Sequence, residues 1–293
     1  MFSTEPLTDR FGIAVHGIDL NEPLDDETVH ALVDLLYEHR VLAVRGQKLH
    51  PASFRSYCSE FGDPIRHVRS LGRELFMPEE PTILPITNKT PGDGPLAQGA
   101  AHWHTDQSYD ARPSSTTILY SIEAPKQGGE TGFIDMVAAY DALPTTTKDE
   151  IEDLVVEHQY GPGIALPEDD VPTASLSTQE QRDASPLVQH RLVRPHPITG
   201  VKALYSPCAT SRGIVGMPLE QARELLAQLT AHCLKPEFRY HHPHAVGDVV
   251  SWDTSATMHR AALIDRATGP DDSRLLWRIS VRGTPPRLAK AAS

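Results

Sequence analysis

The segment Ala101-His102-Trp103-His104-Thr105-Asp106 sets an imidazole and a carboxylate two residues apart. On a strand, residues i and i+2 face the same side, so His104 and Asp106 would stand next to each other. A third candidate is His259 in Thr257-Met258-His259-Arg260, just beyond the strand-like run Asp248–Asp253. Two histidines and one carboxylate on one face of an octahedral ion leave three adjacent positions open. That arrangement suits Fe(II), because a chelating co-substrate can take two of those positions and O2 the third. Taken alone, a His-x-Asp pair more often marks an ordinary hydrogen-bonded strand histidine. Its company changes the reading, because Arg274 and Arg278 follow, four apart, in Ser273-Arg274-Leu275-Leu276-Trp277-Arg278. On a strand both guanidiniums would face one pocket, and arginine is the side chain suited to gripping a carboxylate with two parallel hydrogen bonds.

Such residues need a scaffold that brings distant segments together. Helices are predicted where apolar residues recur at helical spacing. Val29, Leu32, Val33 and Leu36 follow the capping pair Asp25-Asp26, and Phe54, Tyr57, Cys58 and Phe61 lie between Pro51 and Gly62. Two more helices are predicted over Lys148–His158 and Pro218–Leu234. Between them lie short β-like runs at Val41–Val44, Thr82–Ile86, Thr116–Ile122, Gly132–Asp135, Arg191–Arg194, Val201–Tyr205, Asp248–Asp253 and Leu275–Val281. Many short strands separated by turn residues predict a sandwich or jelly roll, mostly β with flanking helices. A doubly wound parallel sheet is disfavoured, since helices and strands do not alternate and no Gly-rich phosphate loop follows a strand. The stretch 161–186, rich in Pro, Ser, Asp, Gln and Gly, reads as a long loop, and a lid over an active site is one expectation for it.

At 293 residues the chain can form one large domain, 1–293, and its 39% apolar content can fill the core. The formal charge of −12 argues against nucleic acid or an anionic membrane as partner, which would need a clustered basic face. A small-molecule substrate fits better. The N-terminus Met-Phe-Ser-Thr-Glu-Pro has no basic region followed by an apolar run, and no stretch approaches the ~20 apolar residues of a membrane span. A cytoplasmic protein is therefore expected. Cys58, Cys208 and Cys233 lie far apart with no Cys-x-x-Cys spacing, so they read as reduced and structural.

Assembled in order, these residues resemble the taurine dioxygenase and 2,4-dichlorophenoxyacetate dioxygenase family of Fe(II)/2-oxoglutarate oxygenases. The resemblance covers nearly the whole chain. It rests on the blocks 11–20 and 41–47, on Phe61-Gly62-Asp63, on Trp103-His104-Thr105-Asp106 and on Gly128-Gly129-Glu130-Thr131. Toward the C-terminus it continues through 247–253, Met258-His259-Arg260 and the arginine pair. It implies a double-stranded β-helix, a cupin-like jelly roll, with Fe(II) held by His104, Asp106 and His259. It further implies that Arg274 and the Thr131 hydroxyl bind the distal carboxylate of 2-oxoglutarate. Arg278 matches an arginine that meets the acidic group of the substrate, the alternative being a pair with a protein carboxylate. His67 lies in a region that supplies substrate contacts, the alternative being a hydrogen-bonded structural histidine. Gln107 and Tyr109 would lie on or beside the substrate face. The implied reaction is oxidation of an unactivated C–H bond by O2, with release of succinate and CO2. The presence of Asp106 favours oxygenation over halogenation, while desaturation, epoxidation and ring closure stay open. A dimer or tetramer is the assembly the resemblance implies.

Two departures stand out: Thr254 where many relatives have Asn, and His244 where the family has a Trp before the Gly-Asp turn. The residues before Trp103 also differ from the taurine-binding pattern, which argues against taurine as substrate. Two other classes account for part of the same residues. A zinc hydrolase could use His and Asp ligands, recruiting His241, His242 or His244 from a loop at Tyr240–His244, but would gain nothing from Arg274 and Thr131. A non-catalytic jelly-roll protein would bind a ligand without turning it over.

Overall fold

The structure is a computed structural model that describes residues 2–66, 77, 79–89, 101–161, 163–164 and 185–291. In chain order the first elements are β1 (Ser3–Pro6), β2 (Ile13–His16), α1 (Asp26–His39), β3 (Val41–Val44), α2 (Pro51–Ser59), β4 (Asp63–Ile65) and β5 (Leu84–Thr87). Then come β6 (Thr116–Glu123), β7 (Thr131–Asp135), α3 (Met136–Asp141), α4 (Thr145–Ile151), β8 (Val155–His158) and β9 (Val188–Arg191). They continue with β10 (Val193–Pro195), β11 (Lys202–Leu204), β12 (Ser211–Ile214) and α5 (Leu219–Cys233). Last are β13 (Arg239–His242), β14 (Val249–Asp253), β15 (Thr257–Ala261), β16 (Leu275–Arg282) and α6 (Pro286–Ala291).

Val41-Leu42-Ala43-Val44 is apolar at every position because β3 is covered on both faces. Among the described residues the largest sheet runs β1-β2-β3-β14-β6-β16-β4, with β5 also paired to β16. A smaller sheet, β13-β7-β15, lies against it. Val41 and Ala43 turn toward that smaller sheet and meet Phe133 of β7, together with Leu119, Val250, Trp252 and Leu276 from the neighbouring strands. Leu42 and Val44 turn the other way and meet Val29, Leu32, Val33 and Leu36 of α1 and Phe54 of α2. Two apposed, mainly antiparallel sheets with helices packed outside form a double-stranded β-helix, the jelly roll expected from the strand pattern.

The helices follow from local chemistry. The Asp25 side chain accepts from the Thr28 N–H at 2.7 Å and caps α1, whose apolar stripe is buried. Pro51 opens α2, where its fixed φ and missing N–H cost nothing. Phe54 of α2 is fully buried against Tyr120 and Trp277 on the sheet face away from the smaller sheet. Truncating it to alanine is expected to cost about 3–5 kcal/mol in urea unfolding, the usual range for emptying a buried aromatic site. Bound-metal content should stay at the wild-type level.

Three expectations change. The helix predicted over Lys148–His158 ends at Ile151, and Val155–His158 is a strand between β9 and β12. Ile151, Leu154 and Val155 fit helical spacing, but alternating burial along a β-branched run and pairing on both edges decide for strand. The run Arg191–Arg194 divides into β9 and β10, with Leu192 between them donating its N–H to Leu154. The segment Tyr240–His244, expected as a loop, begins as strand β13 paired with β7. The proposed lid at 161–186 lies mostly outside the described residues, as does His67. Among the described residues no helix is long and apolar enough to cross a membrane.

Candidate metal centre and co-substrate pocket

His259 projects from β15, opposite Phe133 of β7. His104 is joined to it by a single two-way bridge: His104 N–H to His259 C=O at 3.0 Å, and His259 N–H to His104 C=O at 2.8 Å. Beyond His104 the chain turns rather than continuing as a strand, so Asp106 arrives through a turn and not by strand alternation. Gln107, the next residue, adopts φ +54°. That left-handed conformation is uncommon for a residue with a side chain, and it lets the chain leave immediately after Asp106. One ligand atom from each of His104, Asp106 and His259 lies within 4.8 Å of the other two. His104 Nε2 is 3.7 Å from Asp106 Oδ1, and His259 Nε2 is 3.6 Å from Asp106 Oδ2.

The protonation states suit a cation. His104 Nδ1 lies 2.7 Å from the His102 carbonyl, an acceptor, so Nδ1 bears a proton and Nε2 is the nitrogen left to face an ion. Burial drives the His259 imidazole well below its usual range, leaving it neutral, and among the described residues its Nδ1 has no hydrogen-bond partner. Burial alone would raise the Asp106 carboxyl, yet the Arg278 guanidinium leads the neighbours that outweigh it, and the group lies well below the usual carboxylate range. Both carboxylate oxygens are supported: Thr117 Oγ1 donates to Oδ2 at 2.7 Å, and Arg278 donates to Oδ1 at 2.6 Å. Two imidazole nitrogens and one carboxylate converging on one point are a donor set that fits a divalent first-row ion.

The two arginines expected to share a pocket have different neighbours. Arg278, on β16, pairs with Asp106 and also donates to Ser280 at 3.3 Å. Arg274 lies just before β16, where Asn88 Oδ1 accepts its backbone N–H at 2.8 Å. Its guanidinium is buried and donates to the Gly129 carbonyl at 3.3 Å, while among the described residues Nε has no partner. Among the described residues it faces no carboxylate within ion-pair distance, and burial lowers its pKa to about 10. Thr131 opens β7 two residues after Gly129, with its hydroxyl 2.9 Å from His244 Nε2. Gln107 is buried and accepts from Arg282 at 3.4 Å. Tyr109 is half-buried, its ring 5.0 Å from that of Tyr160. Sequence reasoning missed Thr117 and Asn88. Each is an ordinary polar residue, and only the pairing of distant strands gives it a role.

This fold and this triad define a jelly-roll metalloenzyme. The family model described as "Taurine catabolism dioxygenase TauD, TfdA family" matches residues 3–280. The chain is 32% identical to the alpha-ketoglutarate-dependent 2,4-dichlorophenoxyacetate dioxygenase of Cupriavidus pinatubonensis, over 92% of this chain and 97% of that one. It is 30% identical to an alpha-ketoglutarate-dependent sulfate ester dioxygenase of Pseudomonas putida, over 96% and 89%. The crystal structure of AAD-2 with Mn(II) and N-oxalylglycine superposes with a TM-score of 0.76 at 29% identity, covering 98% of this chain and 99% of that one. The chain belongs to the TauD/TfdA family. It is an enzyme of the 2-oxoglutarate-dependent non-haem iron dioxygenase class, and the hydrolase and non-catalytic readings give way to that.

Proposed function

We propose that His104, Asp106 and His259 hold Fe(II), that Arg274 and Thr131 hold the distal carboxylate of 2-oxoglutarate, and that the enzyme oxidises an unactivated C–H bond of a small organic acid. The observation that carries this reading is the Arg274 guanidinium, a buried cation with no protein counter-ion among the described residues. A bound carboxylate would supply one, through the planar fork that arginine presents. When bound, iron with the keto acid supplies the oxidising power for O2 chemistry, ending in succinate, CO2 and an oxidised product. The protein's share is to fix three ligand atoms, keep His259 neutral and Asp106 ionised, and orient the keto acid from its far end.

Arg278, Gln107 and Tyr109 border the same region and are proposed to face the substrate, with His67 added from sequence. Arg278 spends one terminal nitrogen on Asp106 and Ser280, and among the described residues its other donors have no hydrogen-bond partner. They would suit an acidic group, and the two relatives above act by name on a carboxylic acid and on sulfate esters. The cytoplasmic setting and the homo-oligomer belong to the same proposal.

Anaerobic titration with Fe(II) and then 2-oxoglutarate tests the reading. A weak visible metal-to-ligand charge-transfer band is expected in the wild type and should be missing in His104→Ala. A wild type without the band, or a variant that keeps it, would overturn the assignment. Succinate release screened against aryloxy acids, sulfonates and sulfate esters would then identify the substrate class.

A further inference from the structure

His244 stands between two hydroxyls. Its Nε2 lies 2.9 Å from Thr131 Oγ1 and its Nδ1 lies 3.1 Å from Ser121 Oγ. The ring is buried and its setting is stiff: the His242 ring packs edge-on at 5.3 Å, and Asp248 accepts from the Ala245 N–H and from Arg45. Gly247, at φ +89°, closes the turn behind it, where an added Cβ would come within 2.7 Å of the Gln47 carbonyl oxygen. Burial, with His242 and then Arg274 nearby, lowers the imidazole pKa to about 3, so the ring stays neutral at physiological pH.

A neutral imidazole has one donor and one acceptor, so two arrangements fit these distances. If Nδ1 carried the proton, Nε2 would accept from Thr131, whose hydroxyl would then have no proton left for an anion. If Nε2 carries it, Nε2–H donates to Thr131 Oγ1, Ser121 donates to Nδ1, and the Thr131 proton is free. A carboxylate beside Arg274 accepts hydrogen bonds only, so it selects the second arrangement. We propose that His244 is a positioning residue for the co-substrate: by donating to Thr131 Oγ1 it aims the Thr131 proton at the carboxylate held by Arg274. The proposal rests on the assignment of Arg274 and Thr131 to 2-oxoglutarate made above.

Calorimetric titration of 2-oxoglutarate into Mn(II)-loaded protein tests it without turnover. His244→Leu, which keeps bulk but has no N–H, is expected to raise Kd roughly tenfold, the loss of a hydrogen bond to a charged group. His244→Gln keeps a donor and should stay within about threefold of wild type, since the donor and not the ring matters. Thr131→Val should also weaken binding, and combining it with His244→Leu should add nothing, because both remove the same hydrogen bond. Wild-type affinity in His244→Leu, or losses that add in the double variant, would overturn the proposal. Arg274→Met separates the two claims. If it weakens binding while His244→Leu does not, only the role of His244 fails, and if it binds as wild type, the pocket assignment itself falls.

Discussion

Replacing His259 with alanine is expected to abolish metal retention and 2-oxoglutarate turnover together. The triad offers three ligand atoms within 4.8 Å of one another, and removing one leaves a two-point site open to water. Losing a group that merely orients a ligand costs roughly 10–100-fold in metal affinity or activity, so losing the ligand itself should cost more than about 100-fold. Iron retained after anaerobic gel filtration, measured beside succinate release, checks both halves. The backbone bridge to His104 survives the substitution, so the fold is expected to persist and the far-ultraviolet dichroism to match wild type. Iron retained at the wild-type level would remove His259 from the centre.

Arg274→Met is expected to move stability and function in opposite directions. This guanidinium is buried with no protein carboxylate facing it among the described residues, and methionine retains much of the aliphatic stem without the charge. Replacing buried charge by apolar side chains of similar volume can stabilise by on the order of 1–4 kcal/mol, so the metal-free variant should unfold at higher urea than wild type. Binding should suffer. Truncating one partner of a buried charge pair costs about 2–5 kcal/mol, which corresponds to roughly 30-fold to several thousandfold in affinity for 2-oxoglutarate. A variant that is both less stable and unimpaired in binding would show that the guanidinium is a structural strut.

The metal triad was legible in the sequence because its chemistry lies in residue type. A His-x-Asp pair, a distant histidine and an arginine pair have few other reasons to occur together. The strands of the main sheet were legible for a similar reason, since unbroken apolar runs such as Val41–Val44 and Val249–Val250 demand cover on both faces. Contacts made by register were not legible. Nothing local tells that Thr117 of β6 and Arg278 of the adjacent strand β16 both meet Asp106, because a sheet order that puts β6 between β14 and β16 is a property of the whole fold. Local pattern misled at Val155, whose spacing from Ile151 fits a helix while its partners lie on β9. It misled again at Tyr240–His242, where polar residues read as loop but sit on a strand, with Tyr240 and His242 hydrogen-bonded to each other.

The two hydrogen bonds on Asp106 have a consequence for how the centre fills. A carboxylate tied at one oxygen by Thr117 and at the other by Arg278 is held in one orientation, because rotating it would strain both hydrogen bonds. It therefore meets an arriving cation in an orientation set during folding, and the ordering entropy is spent before the ion appears. Large ions that call for many oxygen ligands are poorly served by a centre of two imidazoles and one carboxylate, whereas a smaller first-row ion meets a seat already laid out.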